Sequence, residues 1–507
     1  MEVLILLLII VPLSTAILIP LVDIIKKDIR KYLVLLGAFL EFFIFFLLIV
    51  NNLSKIKDGS LFLKYYLGGW LPPLGIVLTM DMLSFYFSAL VTFAVLFAII
   101  YSIGYIGHHE GKYYVLIFLL WFAMQGIILT GDLFNFYVFI ELILVSSSAL
   151  IAFNRNRQAT EAAIKYMVYG IIGGLFTFVG VLLIYFNVGT LNFADIHNNL
   201  SLISYETKSF IAIFFLIGFS IKLGIFPFHF WVAKAQSAAP SPISALLSGI
   251  VEKIYIYAYI RIFWFIFGFN VLQEMGINNI IIYVALISSM IGHLLALYVD
   301  NVKKMLSYST IGHLGIMIAV LTINTRLALL AGLLHVLSHL LMKISLFTST
   351  GYILQFTPGN KREDLKGVAY KNMMIFTGFI IVAGGIIGLP PMIGFFSKWF
   401  LLKAFLAEDF YLGALILIIG SIFAIVYYIK YIISGFKKVS IGPPDKFRLI
   451  LTVFYRERIV KDVALFFIIA VLVTGIFFKV ILGPVEEVVN VIQNPSIYIQ
   501  SILGGQT

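Results

Sequence analysis

Two lysines in apolar surroundings carry the first chemical signal in this chain. Lys222 and Lys253 lie near the midpoints of two apolar stretches within Lys208–Phe267. An ammonium in hydrocarbon is costly on every insertion scale, so a lysine at membrane depth needs a partner and marks a functional candidate. A lysine that snorkels to the interface stands within a few residues of a helix end, and neither of these does. Pro227 interrupts the first stretch soon after Lys222, and Pro240 and Pro242 mark the turn into the second. A proline inside a span removes a backbone donor and frees a carbonyl, which protein or water must satisfy. Lysine beside a break points to a hydrated ion path.

Other ionisable residues extend the series. Glu141 lies in the middle of DLFNFYVFIELILVSSSAL, with no cation one turn away. Its partner must come from another helix; alone it would hold a proton, whereas beside a lysine both groups can be ionised. The plainer reading of such a pair is a tether between helices. In LLHVLSHLLMKISLF, His335, His339 and Lys343 follow i, i+4, i+8 spacing, which lines them along one helix face over about 12 Å. Neither carboxylate nor Cys accompanies the histidines, which argues against a metal site. A histidine row ending in a lysine reads as a proton relay, since His titrates near neutral pH; a histidine bonded to a backbone carbonyl is the bland alternative. Lys398 follows Pro390 and Pro391 in GFFSKWF, off-centre toward the outer side, which suits an exit. Glu161 and Lys165 read equally as a proton-intake pair or as a surface i, i+4 pair.

Five further residues take lesser roles. Lys234 and Arg261 stand nearer the ends of their stretches and are expected as interfacial anchors. His293 and His313 look isolated and are expected to be structural. Glu252 adjoins Lys253 but points about 100° away on a helix and need not be its partner. A row of mostly basic groups cannot cradle a bare Na⁺, which wants several oxygens. It can pass protons, because burial weakens the hold of a lysine on its proton.

Composition sets the frame. Of 507 residues, 62% are hydrophobic and 12% charged, and the mean hydropathy is +1.06. This is a polytopic membrane protein, with no room for a large soluble catalytic domain. Cys is absent, so disulfides, thiolate metal sites and Cys-held clusters within the chain are excluded, and no cofactor or metal set is read. The net charge of +11 belongs to cytoplasmic loops rather than to nucleic-acid binding. Residues 1–21 carry neither a basic leader nor a small-residue cleavage site, so they are expected as the first span.

Apolar runs of spanning length fall near 2–22, 31–52, 82–106, 112–130, 132–153, 160–187, 208–237, 240–267, 277–299, 302–323, 326–354, 372–406, 410–434 and 462–484, an all-α fold of about fourteen transmembrane helices. Two runs, 208–237 and 372–406, contain Pro227 and the Pro390–Pro391 pair. Basic residues gather after the first, fifth, ninth, eleventh and thirteenth runs, in Lys26–Lys31, Arg155–Arg157, Lys303–Lys304, Lys361–Lys371 and Lys437–Lys461. The positive-inside rule makes that side the cytoplasm of a prokaryotic cell and leaves both termini outside. Lys55, Lys57 and Lys64 would then be external, in a loop whose GGWLPPLG (Gly68–Gly75) predicts turns and a short hairpin. Pro227 and Pro391 lie 164 residues apart in similar Gly/Phe-rich contexts. This predicts two inverted five-helix repeats, each with a broken helix, the plan of transporters whose site lies near the midplane. The expected organisation is a three-helix segment with an external hairpin at 1–107, the first repeat at 108–270 and the second at 271–435. A basic loop, last helix and external tail complete it at 436–507.

Six motifs in order then resemble one family. They are GDLFNFYVFIELIL at Gly131, EAAIKYMVYG at Glu161, FPFHFW after Lys222, SYSTIGHLG at Ser307, HVLSHLLMK at His335 and GLPPMIGFFSKW at Gly388. The chain resembles the antiporter-like subunits of respiratory complex I and of Mrp-type cation/proton antiporters, the D-type Mrp subunit most of all. The tail NPSIYIQSILG (Asn494–Gly504) is particular to that type. The resemblance covers nearly the whole chain. It implies a Glu141–Lys222 switch pair, a lysine at Lys253, histidines at His335 and His339, and a terminal lysine at Lys398. It also implies other membrane subunits as partners, in a stand-alone antiporter or in a hydrogenase or sulfur-reducing complex built on an Mrp-like module. Protons would be carried by this subunit and Na⁺ by the complex as a whole. A transporter of an organic solute and a scaffold whose charges only hold helices are the competing expectations.

Overall fold

The computed structural model describes residues 2–106, 110–268, 270–437 and 451–503. The boundary expected at 107–108 and the loop residues Lys438, Lys446 and Arg448 lie outside them. Among the described residues, twelve helices are long and apolar enough to cross a membrane. The two other expected spans are broken ones, in the pieces Tyr205–Leu223 with Val232–Ala238 and Met373–Ile387 with Ile393–Ala407. Each break falls where proline denies the helix a backbone donor.

The spans that carry the buried lysines and histidines of the series are the most buried. Ser241–Ile266, Val302–Ile323 and Arg326–Leu354 form the centre, while Val3–Ile25, Lys27–Asn51 and Tyr411–Phe436 line the outside and present apolar side chains. Sequence dictates this ordering, because a helix bearing buried lysines and histidines cannot face lipid without large cost.

The two breaks are built alike. Gly224 (φ +67°) and Gly388 (φ +103°) end the leading halves in left-handed conformation. Beyond them, the Ile225 amide donates to the Ser220 carbonyl (3.0 Å) and the Leu389 amide to the Gly384 carbonyl (2.9 Å). This is the six-to-one bond of a Schellman cap. Freed carbonyls find side-chain donors: the Trp231 indole serves Ile221 (3.0 Å) and the Lys398 ammonium serves Ile387 (3.3 Å). A Cβ at position 224 would stand 2.2 Å from Val232 Cγ2.

On the face expected to be external, Phe62–Tyr66 pairs antiparallel with Val77–Asp81, with Lys64 opposite Thr79. This hairpin delivers Asp81 to the start of the Met82–Tyr105 helix, where its carboxylate caps the Ser84 amide (2.8 Å). Arg261 meets it there and corrects the expectation of an interfacial anchor. Its guanidinium is buried and bidentate to Asp81 (2.7 and 2.8 Å), with Ser84 Oγ at 2.8 Å and the Phe265 ring at 4.2 Å. Position near a helix end signalled an interface, but the hairpin and Tyr498 of the tail roof that end over. The last expected span also stops early. Leu451–Ile476 is followed by a separate amphipathic helix, Phe478–Gln493, which buries Val485, Val488, Val489 and Ile492. The tail helix Pro495–Leu503 follows, and the Ser501 carbonyl accepts from Lys64 (2.9 Å).

Burial pushes the Asp81 carboxyl up, yet Arg261 and Ser84 outweigh it and hold the group below the ordinary carboxylate range. The pair therefore stabilises the fold above pH ~4 and loses that contribution as pH falls through the depressed value. Asp81→Asn leaves the guanidinium uncompensated and should cost about 3–5 kcal/mol, read as a lower thermal midpoint that the double variant Asp81→Asn/Arg261→Met largely recovers. Gly224→Ala should cost about 1–3 kcal/mol through strain at positive φ, measured the same way on the purified complex.

Candidate functional site

Glu141 and Lys222 meet across three helices. Asp132 caps the Leu133–Ile151 helix by accepting the Asn135 amide (2.7 Å), which fixes the register that brings Glu141 inward. Lys222 stands in the last turn of Tyr205–Leu223, where helix-end carbonyls favour a cation. Its Nζ donates to Glu141 Oε1 (3.0 Å) and to the Gly170 carbonyl (3.1 Å). The lysine side chain is 1% exposed and the glutamate 27%. Glycines on Arg157–Val188 make room for this meeting. A Cβ on Gly174 would stand 2.2 Å from Glu141 Oε1, and one on Gly173 would stand 3.0 Å from the Gly218 carbonyl.

Inward of this pair the helix Ser241–Ile266 carries Lys253. Residues Leu247–Val251 form a π-helical turn. The ammonium of Lys253 donates to the Ser248 carbonyl within that turn. Such wide turns recur at functional sites, because they leave a carbonyl outside the regular ladder. Glu252 is the residue that sequence reasoning set aside. It is buried, accepts from Gln236 Nε2 (2.6 Å), and its second oxygen lies 4.0 Å from Lys253 Nζ. The available signal was an adjacent Glu–Lys pair deep inside an apolar run. Lys222 and Lys253 share no hydrogen bond; Tyr255, whose ring is 5.9 Å from Lys222 Nζ, stands beside the first. Tyr166 lies in electrostatic reach of both Glu141 and Glu252.

The histidine cluster is larger than expected. His313 Nδ1 lies 3.0 Å from His335 Nε2, and His335 Nδ1 lies 3.0 Å from Ser397 Oγ. His293 and His339 pack on His313 with ring centroids at 5.3 and 4.9 Å. His313 and His293 are thus not isolated. They come from the Val302–Ile323 and Asn278–Tyr298 helices, and sequence separation concealed the meeting. The expected straight row does not run side chain to side chain. Lys343 turns to the Leu306 carbonyl (2.7 Å), and neither ring nitrogen of His339 has a hydrogen-bond partner among the described residues. Ser397, which sequence reasoning also missed, joins His335 to Ser338 Oγ (2.8 Å) and adjoins Lys398 in the chain. Lys398 itself donates to Ser421 Oγ (2.7 Å). Among the described residues no set of three His, Asp or Glu is placed to hold a metal ion.

At the far end, Glu161 and Lys165 form an exposed ion pair. Glu161 also lines a pocket of about 390 Å³ with Lys234, Asp300, Lys304 and Lys361. Lys234 is exposed there, on the trailing half of the first broken helix.

Comparison with known proteins decides the family. Residues 130–424 match the profile of the NADH:quinone oxidoreductase/Mrp antiporter transmembrane family. The chain belongs to this family. The N-type subunit of an NADH-quinone oxidoreductase from Desulforudis audaxviator is 33% identical over 74% of this chain and 75% of its own. The D-type subunit of a Na⁺/H⁺ antiporter from Alkalihalophilus pseudofirmus is 32% identical over 70% of this chain and 72% of its own. Among solved structures, a chain of the archaeal membrane-bound sulfane sulfur reductase superposes with a TM-score of 0.89 at 27% identity, covering 99% of this chain and all of that one. As a member of this antiporter family, the protein is a multi-pass, antiporter-like subunit of a multisubunit membrane complex, with other membrane subunits as its partners. The family match contains every ionisable group from Glu141 to Lys398.

Gly174→Ala should displace the Glu141 carboxylate and weaken its bond to Lys222. An uncompensated buried charge costs about 3–5 kcal/mol, so ion transport by the assembled complex should fall as far as it does in Glu141→Gln, with assembly unchanged on size exclusion.

Proposed function

We propose that this subunit translocates protons, with Glu141 and Lys222 as the gate. When the two pair, Lys222 holds its proton; when they part, the desolvated ammonium releases it inward to Lys253. Lys343, His339 and His335 carry it on to Lys398 and the outer side. His335 bonds Ser397, the neighbour of Lys398 in the chain, which supports a histidine step before that lysine. Glu161 and Lys165, at the pocket with Lys234, serve as the intake. Pro227, Pro390 and Pro391 supply the breaks that let charged side chains meet freed backbone near the midplane. The two inverted repeats, 108–270 and 271–435, form the two halves of the path, and both termini lie outside the cell.

The complex is an Mrp-type Na⁺/H⁺ antiporter module, alone or coupled to an oxidoreductase. Protons pass through this chain and Na⁺ through the assembly. The observation that carries the reading is the 3.0 Å contact between Glu141 and the buried Lys222 at a helix break. The partial exposure of Glu141 supports control by a neighbouring subunit or redox module that alters the pair. A solute transporter gains no support from the cavity beside Pro227, about 270 Å³ and lined almost wholly by apolar side chains.

Glu141→Ala and Lys222→Ala, each in the assembled complex in proteoliposomes, should abolish proton transport while assembly persists. Transport retained in either variant, or in the charge-swapped pair, would reduce the contact to a tether.

A further inference from the structure

We infer that Glu252 is a second proton-loading carboxylate, reached from the pocket that holds Glu161 and Lys234 and serving Lys253. This rests on the proton-relay reading above and adds a group to it. Glu252 lies in a helix that is buried throughout, and its contacts are unlike those of a structural ion pair. One oxygen accepts from Gln236. The other, together with Gln236 Oε1, is a buried acceptor without a donor among the described residues. Lys253 Nζ is 4.0 Å away and Lys343 acts on Glu252 from the Arg326–Leu354 helix, yet each lysine donates instead to a backbone carbonyl, of Ser248 and Leu306. Two buried acceptors without a donor on this hydrogen-bonded pair call for a water or for a proton on the carboxyl. Either one makes the place a proton store.

The short helix that carries Gln236 runs from this store to the pocket. Gln236 belongs to Val232–Ala238, whose last residues, Ser237 and Ala238, line the pocket with Glu161 and Lys234. Ser244 Oγ donates to the Gln236 carbonyl (2.6 Å) and to the Ala239 carbonyl (3.2 Å). The ammonium of Lys303, buried although expected in a loop, donates to that same Ala239 carbonyl (2.5 Å). The charged and titratable groups facing Glu252 are Lys253 on its own helix, Lys343, Tyr166 and Tyr255. In the step, the Glu252 carboxylate takes a proton and becomes the acid. It passes that proton to the neutral amine of Lys253, which becomes ammonium, and the carboxylate is restored.

The test uses the assembled complex in proteoliposomes with a pH-sensitive dye. Glu252→Gln keeps the bond to Gln236 through its amide oxygen. It should slow proton transport by about a hundredfold, the low end for loss of an acid–base group, and flatten the pH dependence of the rate. Glu252→Asp should recover part of the rate and its pH dependence. A Glu252→Gln rate and pH profile equal to those of the unmodified complex, with Lys222→Ala inactive, overturns the role of Glu252 and leaves the relay intact. A slower rate with an unchanged pH profile makes Glu252 a brace and also overturns it. Active Lys222→Ala overturns the relay reading itself. Should Glu252→Gln fail to assemble, infrared difference spectra of the unmodified complex and Glu252→Asp across the working pH range decide. A carboxyl band that moves with the substitution supports the inference, and identical spectra overturn it.

Discussion

Charge removed from water is the constraint to which the architecture answers. Each buried ammonium or guanidinium needs an oxygen at hydrogen-bond distance, and the fold supplies one in every case described. Lys222 has Glu141 and a carbonyl, Arg261 has Asp81, and Lys343 and Lys398 have carbonyl or hydroxyl oxygens. These requirements pull the helices that bear them to the centre. They also drive the glycine pattern of Arg157–Val188, since only bare backbone lets Glu141 reach across to Lys222. The outer helices carry apolar side chains on their exposed faces, and the guanidinium of Arg30 among them is answered by Asp23 of the neighbouring helix.

The same demand explains the breaks. A continuous helix spends its carbonyls on its own amides, whereas a broken one leaves some free in the membrane interior. Here the freed carbonyls are answered by Trp231 at one break and by Lys398 at the other. Lys398 is therefore held by the second break itself, not merely placed near it. Lys222 precedes the first break by a few residues while Lys398 follows the second. The two halves thus use similar backbone with the cation on opposite sides of the interruption.

Much of this was legible in the sequence. A lysine in mid-run, a glutamate in mid-run and prolines inside spans announce themselves by cost alone, so both breaks and the need of Glu141 for a cation on another helix could be read, while the choice of Lys222 came from the family resemblance. Hidden features depend on which distant helices touch. His313 looked solitary because its partners, His335 and His293, lie on other helices. Arg261 looked like an anchor because a hairpin some 180 residues earlier in the chain covers it. Glu252 was set aside by the angle that separates it from Lys253, and its hydrogen-bond partner, Gln236, lies on another helix. The expected straight row from His335 to Lys343 failed for a related reason: His335 and Lys343 each took a nearer partner on a neighbouring helix.

That π-helical turn has a wider meaning. Relative to a regular α-helix it holds one surplus residue, and one residue corresponds to about 100° of rotation. Everything after Leu247–Val251 on this helix, Lys253 and Arg261 included, is thereby aimed a quarter-turn or more from where a regular helix would send it. The length of that one turn acts as an angular setting shared by the ionisable interior and the roof at Asp81. Losing a single residue there would change no side chain's chemistry, yet it would turn both assemblies away from their partners at once.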